Sequence, residues 1–219
     1  MRQQDFSIMK KIKAVIFDMD GVLIDAKDWH YDALNRALNH FGYNINRYDH
    51  LVTFDGLPTR KKLEMLTLEQ GLPVALHKLI NDLKQIYTTE IVHAMCKPVF
   101  HHEYALSLLK SQGYKLAVAS NSIRDSINLM MAKSGLDKYL DKTVSNQDVR
   151  FGKPDPEIYI KTINLLNLEP QETLVVEDNE HGIAAARGAG SHIMVVNSVS
   201  DVTHERIMHH IKIAERNYV

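Results

Sequence analysis

The chain has 219 residues, 45% of them hydrophobic, with 26 lysines and arginines against 27 aspartates and glutamates. That length allows one large domain, or a main domain with a smaller insertion. A formal net charge of −1 gives no overall positive field to recruit nucleic acid or an anionic membrane, so an anionic ligand has to be attracted locally. The single cysteine, Cys96, cannot form an internal disulfide and fits a reducing compartment. Residues 1–11 read as a loose polar tail and lack the pattern of a secretory signal. No apolar run is long enough to span a bilayer, and a cytoplasmic protein is expected.

Ala14-Val15-Ile16-Phe17 is a continuous apolar run that stops at Asp18, which predicts a strand buried on both faces. The next stretch is helical throughout, with helices expected over 31–41, 59–70 and 74–93. An all-helical block directly after a first strand reads as an inserted subdomain, joined to the rest at 22–27 and 97–99. The expected division is a helical part over 26–95 and a core over 12–25 and 96–219. Beyond the insertion, helices are predicted over 102–111, 125–133, 156–166 and 180–189, and strands over 116–119, 174–176 and 193–196. Gly113, Gly135 and Gly190 are placed to cap helices. Strand alternating with helix predicts a doubly wound α/β fold, Rossmann-like, with a mostly parallel sheet.

In such a sheet, ligands sit at the carboxyl ends of the strands. Asp18 ends the first strand, Asp20 follows, and Gly21 permits a tight turn. Two carboxylates there suit an anionic group only if a divalent cation offsets their charge. One could then attack phosphorus while the other serves as general acid and base. Read alone, Asp-Met-Asp-Gly is equally a turn or capping sequence. Other strand ends carry matching chemistry. Ser120-Asn121-Ser122 offers a hydroxyl and amide donors for a phosphate oxygen, or an N-cap. Lys153, between Gly152 and Pro154, could neutralise phosphate and Asp18 together, or be a solvated surface lysine. Glu177-Asp178 places adjacent acids at the end of a buried strand. That is costly unless they are paired or metal-bound, and such hard oxygen ligands suit Mg2+.

These residues resemble the haloacid dehalogenase superfamily, in the subgroup with a helical cap inserted after the first motif. The match lies in F-D-M-D-G-V at 17–22, A-S-N-S at 119–122, K-P-D-P at 153–156 and V-V-E-D-N-E-H-G-I at 175–183. The resemblance implies Asp18 as nucleophile and Mg2+ ligand, with Asp20 as general acid/base and a ligand through its carbonyl. Met19, Ser120 and the Asn121 amide would hold the phosphoryl group and Lys153 would stabilise its charge. Asp178 would ligate the metal, with Glu177 as a second or water-mediated ligand. An acid at position 20 points to phosphate esters and argues against dehalogenase or phosphonatase chemistry. The implied partner is a small phosphorylated metabolite, and oligomeric state stays open.

The segment 25–30 also resembles the sugar-phosphate mutase and sugar-phosphatase branch. There His30 would position the acid/base, and Gly56 and Arg60 would belong to a substrate-contacting cap loop. His30 is equally a packed or surface histidine, and Arg60 an exposed residue of a helix's first turn. Ala26, where the mutase pattern has Thr, and Ile123-Arg124, in place of its Lys-Asn pair, favour a phosphatase over a phosphomutase. Arg124 remains a candidate phosphate contact. A non-catalytic family member is the third reading, but no catalytic acid or motif lysine is missing. The pairs His101-His102 and His209-His210 read as surface residues, because adjacent helical positions point apart. Trp29 and Phe54 could line the cap entrance or pack it.

Overall fold

A computed structural model describes residues 11–54 and 56–216; the polar tail expected over 1–11 lies outside them except for Lys11. Among the described residues, five strands form one sheet: β1 (Ala14–Phe17), β2 (Lys115–Ala119), β3 (Lys142–Val144), β4 (Thr173–Glu177) and β5 (His192–Val195). Their order is β3-β2-β1-β4-β5, and every pairing is parallel. All four residues of β1 are fully buried, as a central strand covered on both faces requires. Burial of Val15, Ile16 and Phe17 is worth about 1.5–3 kcal/mol each. Phe17 pairs with Val118 on β2 and Val176 on β4, so Asp18 comes level with the ends of both neighbours.

Between β1 and the rest of the sheet lies a helical insertion. It comprises α1 (Lys27–Asn39), the short α2 (Arg47–Asp49) running into a π-helical turn at His50–Phe54, α3 (Thr59–Gln70) and α4 (His77–Met95). Leu34, Leu38, Phe54, Leu63, Leu66 and Ile80 form a hydrophobic cluster of its own there. Phe54 therefore packs the insertion, whereas Trp29 packs against the main core. The first helix begins at Lys27, four residues earlier than its apolar pattern suggests, with the His30 N–H donating to the Ala26 carbonyl.

The sheet is wound on both faces. Val15, Phe17, Val118 and Val176 pack on one side with α5 (Phe100–Ser111), α6 (Arg124–Ser134) and α9 (His204–Arg216). Ala14, Ile16, Ala117 and Val175 pack on the other with α7 (Glu157–Leu165) and α8 (Glu180–Gly188). One histidine departs from expectation. His102 is buried, its Nε2 2.8 Å from the Val199 carbonyl, because its position in α5 faces the sheet while Phe100 and Tyr104 face solvent. His101 lies 3.3 Å from the same carbonyl and is half-buried, while His209 is exposed. No described helix is long and apolar enough to cross a membrane.

Candidate active site

The chain leaves β1 at Asp18, whose N–H still donates to Val176 of β4, and then turns sharply. The Met19 carbonyl accepts the N–H groups of Val22, Leu23 and Ile24, and the Gly21 N–H donates to the Ile24 carbonyl. Gly21 has φ +89°, and a Cβ on it would lie 2.1 Å from Asp178 Oδ2. Only glycine fits both the backbone and the space. The turn thereby brings the loop after β1 against the acid that follows β4.

Lys153 is the hub of the buried centre. Its Nζ lies 2.6 Å from Asp18 Oδ1 and 2.6 Å from Glu177 Oε1, and 4.8 Å above the Tyr159 ring. Tyr159 OH donates to the same Glu177 oxygen at 2.5 Å. Lys153 is itself held by Asn121, whose Oδ1 accepts the Lys153 N–H at 2.9 Å and whose Nδ2 donates to its carbonyl at 3.2 Å. Asn121 and Ser120 do not cap α6: Ile123 holds the N-cap position without a side-chain bond. Ser120 is buried, and its Oγ accepts the Ser122 N–H. At β4 the cap of α8 is Asn179, so Glu177 and Asp178 are not capping acids.

Burial pushes the Asp18 carboxyl well above the usual range; Lys153 opposes this, while Glu177, Asp20 and Asp178 add to it. Asp178 is likewise raised by burial, against the ion pair from Lys27 Nζ at 2.7 Å. Burial would discharge Lys153, but Asp18 and Glu177 outweigh it and hold the ammonium charged. Oxygens of Asp18, Glu177 and Asp178 all lie within 4.8 Å of one another. Three crowded carboxylates, all hard oxygen donors, with burial raising the proton affinity of Asp18 and Asp178, fit a divalent cation such as Mg2+.

Asp20 sits beside this centre in a second polar chain. Its Oδ2 accepts from Ser122 Oγ at 2.9 Å, and its Oδ1 lies 3.1 Å from His30 Nε2. His30 Nδ1 is 3.2 Å from Lys84 Nζ, so Nδ1 accepts and Nε2–H donates to Asp20. Burial alone would raise Asp20, but the charge and hydrogen bond of His30, with Ser122 and Lys84, hold it below the usual carboxylate range. Burial also lowers His30, and Lys84 and Lys62 push the same way against Asp20.

The structure thus brings together Asp18, Asp20, Ser120, Asn121, Lys153, Glu177, Asp178 and His30. The Met19 side chain is buried in the core, so any contact it makes with an anion falls to its N–H. Gly56, at φ +71°, lies against the loop after β4, where a Cβ would come 3.2 Å from Asn179 Oδ1. Arg60 lines the cavity, but its side chain is 82% exposed and bound to Glu64. Arg124 is not brought in; it forms an ion pair with Asp148 outside the cavity lining. Sequence reasoning missed Lys27, Lys62, Lys84 and Tyr159, and the contact of the Ser122 hydroxyl with Asp20. Ser122 adjoins the recognised Ser-Asn pair, whereas the lysines look like ordinary helix-surface residues.

A cavity of about 280 Å3 opens over Asp18 and Asp20, between the strand ends and the helical insertion. It is at the small end for ligand sites. A phosphorylated carbohydrates phosphatase of Thermotoga maritima is 32% identical over 203 residues, covering 87% of this chain and 88% of that protein. Pyrophosphatase PpaX of Bacillus mycoides is 28% identical, covering 85% and 84%. A β-phosphoglucomutase from Clostridium difficile shares the fold with a TM-score of 0.81 at 22% identity, covering 92% of this chain and 98% of that one. The model of the haloacid dehalogenase-like hydrolases matches residues 15–196, a span that holds the described sheet except for Ala14 at the start of β1, and every residue of the centre above. The chain belongs to the haloacid dehalogenase-like hydrolases.

Proposed function

We propose that the protein is a Mg2+-dependent phosphatase acting on a small phosphate ester, with a sugar phosphate as a fitting substrate, in the cytoplasm. The observation that carries this is the set Asp18–Lys153–Glu177, with Asp20 one turn away at the mouth of a small cavity. Residues 26–95 act as a cap over a core made of 12–25 and 96–219, supported by the insertion's separate hydrophobic cluster. Two phosphatase relatives support the reaction class.

In this reading an Asp18 oxygen attacks phosphorus and forms an aspartyl-phosphate, and the departing alkoxide takes a proton from Asp20. Asp20 then removes a proton from water, which attacks the same phosphorus and releases phosphate and the free Asp18 carboxylate. As arranged, Asp20 is ionised and poised for the base step; for the acid step it must first take up a proton from solvent in the cavity, while His30 Nε2–H, 3.1 Å away, orients its carboxyl group. Ser120 and the Asn121 N–H hold phosphoryl oxygens, while Lys153 neutralises charge on Asp18 and on the transferring group. Asp18, Asp178, the Asp20 carbonyl and Glu177 would hold Mg2+, which when bound supplies Lewis-acid stabilisation of phosphoryl charge. Arg124, standing where a mutase would hold a second phosphate, is occupied by Asp148, which favours hydrolysis over phosphoryl return.

The test is hydrolysis of p-nitrophenyl phosphate. Activity should require added Mg2+, disappear with chelator, and be lost in Asp18→Asn with an unchanged circular dichroism spectrum. Equal turnover by that variant and the wild type would remove the reading.

A further inference from the structure

The three acids of the centre meet two lysines of different character. Lys153 is buried, and Asn121 holds its backbone at both the N–H and the carbonyl, so its ammonium is fixed between Asp18 and Glu177. Lys27 meets the third acid. Its Nζ lies 2.7 Å from Asp178 Oδ2, with the lysine side chain 36% exposed and that of Asp178 only 2%. Lys27 is the first residue of α1 and lines the cavity. Its stem passes close over Gly21, where a Cβ would lie 2.7 Å from Lys27 Cε. The missing side chain at Gly21 is what admits it.

Two observations set this contact apart from an ordinary surface ion pair. The helix dipole disfavours a cation in the first turn, and Ala26 at the N-cap makes no side-chain bond, so the end of α1 gains no stability from a lysine there. Asp178 Oδ2 is buried and, beyond the Lys27 ion pair, has no hydrogen-bond partner among the described residues. Asp178 is also one of the three acids whose oxygens lie within 4.8 Å of one another. The ammonium thus occupies a hard oxygen donor that a divalent cation would also take.

We propose that Lys27 is a built-in competitor for the divalent cation. The ammonium and the metal exclude one another at Asp178 Oδ2, so Lys27 sets how tightly Mg2+ binds, and metal binding frees the first residue of α1 from the acid that follows β4. The inference rests on the metal-dependent reading above and deepens it. An incoming ion has to break an ion pair whose acid is almost dry, and it bears the repulsion of the ammonium it displaces. In exchange, Asp178 never stands as an uncompensated buried carboxylate.

The experiment measures Mg2+ binding to the whole chain by calorimetry, and thermal unfolding in chelator and in saturating Mg2+, with no substrate added. Lys27→Met and Lys27→Gln should bind Mg2+ about tenfold tighter than the wild type, or better. Lys27→Arg keeps a competing cation and should bind no tighter. Lys61→Met removes the same charge from an exposed position outside the cavity lining, and its affinity should stay within about twofold of the wild type. In chelator, Lys27→Met should unfold below the wild type, and saturating Mg2+ should remove the deficit, because the metal then compensates Asp178. Unchanged Mg2+ affinity in Lys27→Met and Lys27→Gln would overturn the proposal while leaving the metal-dependent reading intact. A stability deficit equal in chelator and in Mg2+ would also overturn it, since that marks a purely structural lysine, as would an equal gain in affinity from Lys61→Met. If Lys27→Met fails to fold, Lys27→Gln decides on the same criteria. Absence of Mg2+ binding in the wild type and in every variant would strike the metal-dependent reading and the proposal together.

Discussion

Tyr159→Phe removes one hydroxyl from the centre of the protein and little else. The ring remains to pack under Lys153 and among the apolar residues of α7. What disappears is the 2.5 Å bond to Glu177 Oε1, which is fully buried. A hydrogen bond to a charged group contributes about 1.5–3 kcal/mol net. Since about 1 kcal/mol moves the midpoint of a domain of 150–250 residues by about 2–4 °C, Tm should fall by roughly 3–12 °C. Thermal unfolding followed by circular dichroism measures this. Lys153 keeps both of its 2.6 Å contacts, so kcat/KM should fall by less than about tenfold, the equivalent of about 1.4 kcal/mol. A double cycle with Glu177→Gln would show the two losses to be coupled. A midpoint unchanged within about 1 °C would refute the reasoning, because the buried carboxylate would then not depend on the hydroxyl.

The Lys84 ammonium is lowered from 10.5 to about 8, so between those pH values the unfolded chain binds more protons than the folded one. Stability therefore rises with pH across that window, and the full burial cost, roughly 3 kcal/mol, is present below pH 8. The stability difference between Lys84→Met and wild type should be largest at pH 7 and shrink toward pH 10, read by urea unfolding; a constant difference would contradict it. Gly21→Ala combines a left-handed backbone with a Cβ 2.1 Å from Asp178 Oδ2. It should lose about 1–3 kcal/mol of stability together with the response of activity to Mg2+. Wild-type stability and an unaltered Mg2+ titration would show that the turn tolerates the methyl group.

The sheet was legible where its strands are continuous apolar runs, and β1 could be read down to the residue at which it ends. β3 was not, because Lys-Thr-Val is too short and polar to stand out, and it pairs only at one edge. Glu177 read as an acid at the end of a buried strand, but its partners could not be read: its burial depends on Lys153 and Tyr159, which lie 24 and 18 residues away in the chain. The residues at strand ends were legible because topology fixes where strand ends meet. Lys62 and Lys84 were not, since the pattern of a helix does not say which polar position faces a neighbouring element's cavity. For the same reason the pattern left Arg60 open between a cap-loop substrate contact and an exposed first-turn residue; it lines the cavity with its side chain mostly exposed.

Lys153 is shared by two carboxylates, and this has a consequence for how the centre carries charge through a catalytic cycle. Asp18, Glu177 and Asp178 face Lys153 and Lys27, leaving one negative charge in excess at rest. A divalent cation turns that into one positive charge, and a phosphate dianion returns it to one negative. The centre thus stays within one unit of neutrality as its occupants come and go. When Asp18 is esterified, Lys153 still has Glu177 as a counter-ion and is never left as an isolated buried cation. Glu177 then works as a charge reservoir that keeps the lysine in place while its other partner is chemically altered.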